Sequence, residues 1–524
     1  MAKLGVEGQS TAKDLLDAWS ESGPDILSSD PEQGMNRSIR LSVESDLVKR
    51  NPNSILLLAI LSLLPAGTIK EILHWWAPAL KMSMIPSAIA TLSQAALLVE
   101  NKRENSISSV LFVVPVVQSF MQQQDRIAEE IRKQIHSSCC EYVLAHACRF
   151  DDPTFPEKSK ALAAEATNIQ SILFDSPLSQ YTVPYNRTME ALIVFSWHRC
   201  DTKTNLEIAN HAVMATKASG VVRYIASAVW CLGRTYHQLG DYIPSYNHLQ
   251  EAYGLFNTLP PGEVESQRLG GLCGIDLVDA AQMAFEPEHN DAVVSLAREV
   301  ERKCTALSDD LVHGRSLVLL GVVLRQGQQW QEALCHLDCA TTMLKALGNT
   351  PNLAYAFQAI YWVHYDEGRL PMALNAIEEA WKLAEVAGNP FLQATVSLDF
   401  GQALFNANRD TKAWKHIEIA LMKASYTGDR LQVARALEYM GYWYLCRGDY
   451  QNAYGAYEAA ADKYLGTIEV YVAERCEENM AGIKSKEENT DMVIGFYRPG
   501  IDIDQTLFYP PVRASASDMP IPLP

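Results

Sequence analysis

No stretch of this 524-residue chain stays apolar long enough to cross a bilayer. The best candidate, Ile55–Leu64, has about half of the roughly 20 residues a spanning helix needs, and Pro65 ends it. Val110–Val117 is shorter and contains Pro115. The opening MAKLGVEGQS lacks the apolar core of a secretion signal, so a cytoplasmic protein is expected, and the sequons at Asn36 and Asn186 are read as chance matches. Positive charge is scarce: 44 Lys and Arg face 62 Asp and Glu, for a net charge of −18. Such a chain repels phosphate backbones, which argues against a nucleic-acid partner. The eleven cysteines are scattered and odd in number, as reduced thiols rather than a disulfide framework would be. Catalytic signatures are missing too. There is no GxxxxGK[ST] loop, no Gly-x-Ser-x-Gly elbow and no HExxH helix, so neither enzyme chemistry nor a cofactor is expected.

What the chain has is a ladder. Ala212, Ala252, Val300, Ala340, Ala380, Ala420 and Ala460 recur at steps of 40 residues with a single step of 48. Ala333, Ala373, Ala413 and Ala453 keep the same step, as do Leu337, Ile377, Ile417 and Tyr457. Small residues at fixed spacing with a large apolar residue between them mark stacked helix pairs. Each first helix carries an apolar residue, a small one, and a large one three further on: Leu232, Gly233 and Tyr236; Leu320, Gly321 and Leu324; Met440, Gly441 and Tyr444. Gly233 is thereby placed where the paired helix crosses closely, and Gly240, Gly327, Gly368 and Gly448 supply turns. The eight extra residues fall near Leu259–Glu265, read as a surface loop. The expected fold is all-α: a tetratricopeptide-type solenoid over residues 186–465, about seven units.

Ahead of the array, residues 1–50 are polar, with a short helix expected at Ala12–Ser20. Residues 51–135 read as a small winged-helix domain. Its helices are expected at Ser54–Leu64, from a cap at Thr68 through Trp76, and from Pro86 to about Ala95. A β-hairpin follows, with strands Ala96–Glu100 and Val110–Val114 around a polar tip, and then a helix from Pro115 through Lys133. Residues 136–185 form a helical connector, interrupted at Asp151–Pro156; 466–494 form a C-terminal helix, and 495–524 a flexible proline-rich tail.

The segment Asn51–Gly67 resembles the winged-helix region of fungal STAND NTPases, the NLR-like signalling proteins. His74–Pro78, Val113–Met121 and Ala163–Ser171 are similar to segments that follow it in that family. The resemblance implies a ligand-responsive switch in which the repeats sense and the wing couples to a nucleotide-binding core. In that family the core would precede Met1, so it is expected either in another polypeptide, as a nucleotide-binding partner domain in trans, or to be missing. Many relatives end the winged helix in Met-His-Asp, whose His senses the nucleotide; the matching place here is Val113-Val-Pro115, which offers no donor.

A DNA-reading third helix needs basic residues, yet Pro86–Ala95 has none, and Ser54–Ile135 carries seven basic against six acidic residues. His136, Cys139, Cys140, His146 and Cys148 suggest zinc, but one straight helix cannot gather four of them, so buried thiols are expected and no metal. The concave face of the repeats remains. Registering each unit on its ladder alanine places Trp230, Arg234, His237, Arg315, Arg325, Tyr355, Gln358, Trp362, Tyr365, Gln402, Arg435 and Tyr442 there. Aromatic and Arg side chains suit anchoring of a protein or peptide ligand, or packing between repeats. None of the seven first helices contains Lys, which disfavours a chaperone-tail adaptor. The expected function is a non-catalytic sensor or scaffold, with a freestanding adaptor and a winged-helix transcriptional regulator as rivals.

Overall fold

In the computed structural model the described residues are 35–102, 109–123, 127–149, 152, 154–175, 185–285, 289–465 and 470–487. The helix expected at Ala12–Ser20 and the tail at 495–524 lie outside them. The chain forms two compact units, one of Met1–Ala147 and Lys160–Leu192, the other of Cys148–Ser159 and Ile193–Pro524. None of the described helices is long and apolar enough to cross a membrane.

The first unit is built around helix Pro52–Ser62, which is apolar on all sides and correspondingly buried. Its first turn begins at Pro52, two residues earlier than the sequence reading, because proline is suited to a position whose N–H has no helical partner. Two further differences concern the segment after it. Thr68 does not cap a helix: Thr68–Ile69 is strand β1, and a 3₁₀ turn leads to a single helical turn, Leu73–Trp76. Strand β1 pairs antiparallel with β3 (Ser109–Phe112), which pairs with β2 (Val99–Lys102), so the hairpin is the larger part of a three-stranded sheet ordered β1-β3-β2. Gly67, at φ +66°, permits this, since a Cβ there would strike the Leu111 carbonyl. The fully buried Asn168 latches the same loop, accepting from Ala66 N at 3.0 Å and donating to Gly67 O at 2.8 Å. Helix Ile85–Gln94 begins one residue before Pro86, and the helix expected from Pro115 through Lys133 is instead two. Pro115–Gln123 ends, the backbone at Ala128 is extended, and Glu129 and Glu130 open a new N-terminus at Glu129–Ala145, where carboxylates favour the helix dipole.

In the second unit helices pair in register with the ladder, forming a tetratricopeptide-type solenoid. The pairs are Tyr185–Thr202 (shared between the units) with Leu206–Ser219, Val222–Gln238 with Tyr242–Asn257, and Val264–Ala284 with Asn290–Ala306. Asp310–Gln326 with Trp330–Ala346, Thr350–Asp366 with Leu370–Ala387, Pro390–Asn406 with Asp410–Thr427, and Arg430–Cys446 with Tyr450–Tyr464 complete repeats 1 to 7. Helix Val470–Glu487 covers the last pair. The extra residues of repeat 3 do not all sit in the loop: its first helix has 21 residues where that of repeat 4 has 17. The expected turn glycine Gly327 has ordinary negative φ, and Gln328 takes the left-handed conformation in its place.

Every rung of the main ladder is at most 2 % exposed. The glycines of the first helices face the large residues of the second. A Cβ on Gly321 would lie 2.6 Å from Leu337 Cγ, and one on Gly233 2.7 Å from Leu249 Cγ. Gly321→Ala should therefore destabilise by roughly 1–3 kcal/mol through overpacking. Gly455, inside Tyr450–Tyr464 with open space at its Cβ position, sets the contrast: Gly455→Ala should stabilise by about 0.5–1 kcal/mol. Urea denaturation of both variants checks the pair, and equal shifts of the same sign would refute the close-crossing account. First helices of successive repeats 2 to 7 touch one another, whereas the second helices make far less contact with each other, so the first helices line the inner side of the array.

Candidate functional site: the inner face of the repeats

All twelve residues singled out from the sequence stand on first helices. The structure joins many of them through carboxylates that the sequence reading passed over. Trp230 is 1 % exposed, and its indole Nε1 donates to Asp276 Oδ2 at 2.7 Å. Arg234 Nη1 lies 3.7 Å from Asp276 Oδ1 and 3.5 Å from Asp279 Oδ2, and Arg315 Nη2 comes within 4.0 Å of Asp276 Oδ1. Burial works against the Arg234 charge, but Asp276 and then Asp279 outweigh it and hold its pKa above the ordinary range. His237 Nε2 sits 3.2 Å from Asp279 Oδ2; burial lowers its pKa more than that carboxylate raises it. Tyr355, close to the same charges, has its phenol pushed up to about 12 by burial.

The pattern continues through repeats 4 to 7. Arg325 Nε is 3.6 Å from Asp366 Oδ2, and its guanidinium stands 5.4 Å from the Trp362 ring. Gln358 donates to Asp399 Oδ2 at 2.7 Å and Gln402 to the Tyr365 hydroxyl at 3.3 Å. Burial raises the Asp399 carboxyl to about 6, against the opposing pull of Gln358 and Arg435. Tyr442 meets Phe405 edge-on at 6.3 Å. These are contacts between neighbouring first helices, and the two that involve a carboxylate fall one period plus one residue apart: Arg325 with Asp366, Gln358 with Asp399. That offset is the sequence signal for the missed acids. Asp276 and Asp279 are harder to see, because the insertion shifts them off it.

Repeat 1 adds residues the sequence reading did not name. Trp197 meets Trp230 edge-on at 4.7 Å. Over the Trp197 ring lies the guanidinium of Arg149, 3.5 Å from its centroid and 5.4 Å from that of Trp230. Arg149 Nε donates to Asp201 Oδ2 at 3.3 Å, and Asp201 is 4 % exposed. Cys148 and Phe155, from the same short segment as Arg149, are buried against Tyr355.

Cys139 and Cys140 are buried in helix Glu129–Ala145, with burial pushing the Cys140 thiol up to about 11. His146 Nδ1 turns to Tyr142 O at 2.8 Å, while Cys148 belongs to the other unit. Among the described residues, no three His, Cys, Asp or Glu converge as a metal site would require.

No protein-family profile matches the chain, and neither does any curated protein. Solved structures do. A STAND signal-transduction ATPase with a tetratricopeptide repeat sensor, from Pyrococcus horikoshii, is similar at 13 % identity and a TM-score of 0.47, over 93 % of this chain and 71 % of that one. A Rap protein complexed with competence and sporulation factor is similar at 12 % identity and a TM-score of 0.42, over 68 % of this chain and 99 % of that one. A Rap conjugation gene regulator of plasmid pLS20, in complex with the Phr* peptide, is similar at 12 % identity and a TM-score of 0.38, over 70 % and 98 %.

Proposed function

We propose that this chain is a non-catalytic sensor that binds a peptide or a protein segment on the inner face of its repeats. One observation carries the reading. Arg, aromatic and carboxylate side chains run along successive first helices, positioned by buried hydrogen bonds and ion pairs such as Trp230 to Asp276 and Gln358 to Asp399. Buried polar groups are costly unless paired, and side chains held by such pairs are positioned in advance for selective recognition. Large aromatic and Arg side chains are also those that dominate binding energy at protein interfaces.

The first unit fits the coupling part of an NLR-like switch. Its order of helix, strand, helix, helix, strand, strand, with the sheet order β1-β3-β2, suits a winged helix. Helix Ile85–Gln94 carries no Lys or Arg, so a DNA-reading role gains nothing from it. On this reading the repeats and wing couple to a nucleotide-binding domain, and the site of action is the cytoplasm.

Partner capture tests the inner face. The Arg234→Ala/Trp362→Ala variant should recover at least tenfold less partner than the unaltered chain. Trp362→Ala alone, which leaves the Asp276–Arg234 pair in place, should give part of that loss. Recovery unchanged in both variants, with unaltered thermal melting, would sink the proposal.

A further inference from the structure

We propose that Trp197, Trp230 and Asp201 form an arginine-recognition pocket, held here by the chain's own Arg149. The ligand that takes it is then a peptide bearing an arginine with an aromatic side chain six residues later, as Arg149 and Phe155 are spaced. This rests on the reading of the inner face as the binding surface and names its ligand.

The geometry selects a guanidinium. A planar cation stacks flat on the Trp197 indole while its edge N–H reaches Asp201, and an ammonium cannot do both. The pocket is assembled by the array rather than by the segment that fills it. Trp230 is fixed through Asp276, and the Asp201 carbonyl accepts from Asn389 Nδ2 at 3.3 Å, a contact across 188 residues. Asp201 is almost wholly buried, so removing the guanidinium beside it is costly unless another cation takes its place. Arg149 and an incoming arginine are therefore mutually exclusive.

Described residues of the occupying segment contact the array. Phe155 and Cys148 pack on Tyr355, Pro156 Cγ sits 3.3 Å from the space beside Gly388, and the Ser159 carbonyl meets His198 Nε2 at 3.1 Å. The Arg149 side chain keeps 31 % of its exposure, which leaves the pocket a mouth toward solvent. Both ends of the segment continue along the chain into the first unit.

The test is binding of a fluorescein-labelled synthetic peptide of residues 145–158, with serine replacing Cys148, to the full-length chain. Arg149→Ala protein should bind it at least tenfold more tightly than the unaltered chain does, and Arg149→Lys, which keeps the charge without the flat stack, should fall between. A peptide with alanine in place of its arginine should lose at least tenfold toward every protein. Equal affinity of all three proteins, or equal affinity of the two peptides, would overturn the arginine pocket. Should Arg149→Ala melt earlier than the unaltered chain, the Arg149→Lys protein and the two peptides decide alone. A partner captured through Trp362 by a protein that ignores the peptide would leave the inner-face reading standing and remove only this inference.

Discussion

Asp276→Ala should weaken the junction of repeats 2 to 4 by roughly 3–5 kcal/mol, the usual cost of removing one member of a buried charge network. Asp276 is 5 % exposed and serves three donors: the Trp230 indole at 2.7 Å and the guanidiniums of Arg234 and Arg315. Alanine leaves the indole N–H without an acceptor, which alone costs about 1–3 kcal/mol. It also leaves two arginine side chains, 15 % and 11 % exposed, with one fewer counter-charge. Asp279 stays beside Arg234 and His237 but is 36 % exposed and out of the pocket that Asp276 fills. Asp276→Asn retains an acceptor for Trp230 and should recover about 1 kcal/mol, the value of one neutral hydrogen bond, while its amide faces a guanidinium donor to donor. Repeat arrays open in segments, so hydrogen exchange is the local readout. Protection should fall in Val222–Gln238 and Asp310–Gln326 well before it falls in repeats 6 and 7. A loss under 1 kcal/mol, or exchange that rises evenly along the array, would refute the shared-carboxylate account.

The array was legible because close helix crossings leave a compositional trace. Ala340 and Gly321 sit where only small side chains fit, and both recur because the crossing recurs. Nothing comparable marks β1. A strand of two residues has no alternation to detect, and it forms because β3 is there to pair with, 41 and more residues later in the chain. The site was half legible for the same reason. Arg325, Trp362 and Gln358 could be registered on the ladder, whereas their partners depend on how neighbouring first helices lean together. Arg149 was out of reach altogether. It stands in a connector without period, and its partners Trp197 and Asp201 lie 48 and 52 residues away with no repeat to relate them.

The last helix offers the second large effect. Val470–Glu487 covers the open side of repeat 7, setting Val472, Ala473, Cys476 and Ile483 against Leu431, Ala434, Tyr457 and Ala460. One buried charge pair fixes its place. Arg475 donates from Nε at 3.0 Å, and from Nη2, to Glu438 Oε1, while the Tyr464 hydroxyl donates to Oε2 at 2.8 Å. Burial opposes the Arg475 charge, and Glu438 more than restores it, lifting the pKa above the ordinary range. Glu438 is 3 % exposed, so Glu438→Ala takes the counter-charge from a largely buried guanidinium and an acceptor from the Tyr464 phenol. The expected cost is again roughly 3–5 kcal/mol. Arg475→Met should cost a similar amount by stranding the carboxylate instead. The double variant Glu438→Met/Arg475→Met removes both charges and keeps their volume, so its cost should fall well below the sum of the two single losses. In either single variant, exchange protection of Val470–Glu487 should be lost first, and the newly exposed Tyr457 and Ala460 face should promote self-association on light scattering. Additive losses in the double variant, or a terminal helix that stays protected when Glu438 is gone, would mean that apolar packing alone holds the cap.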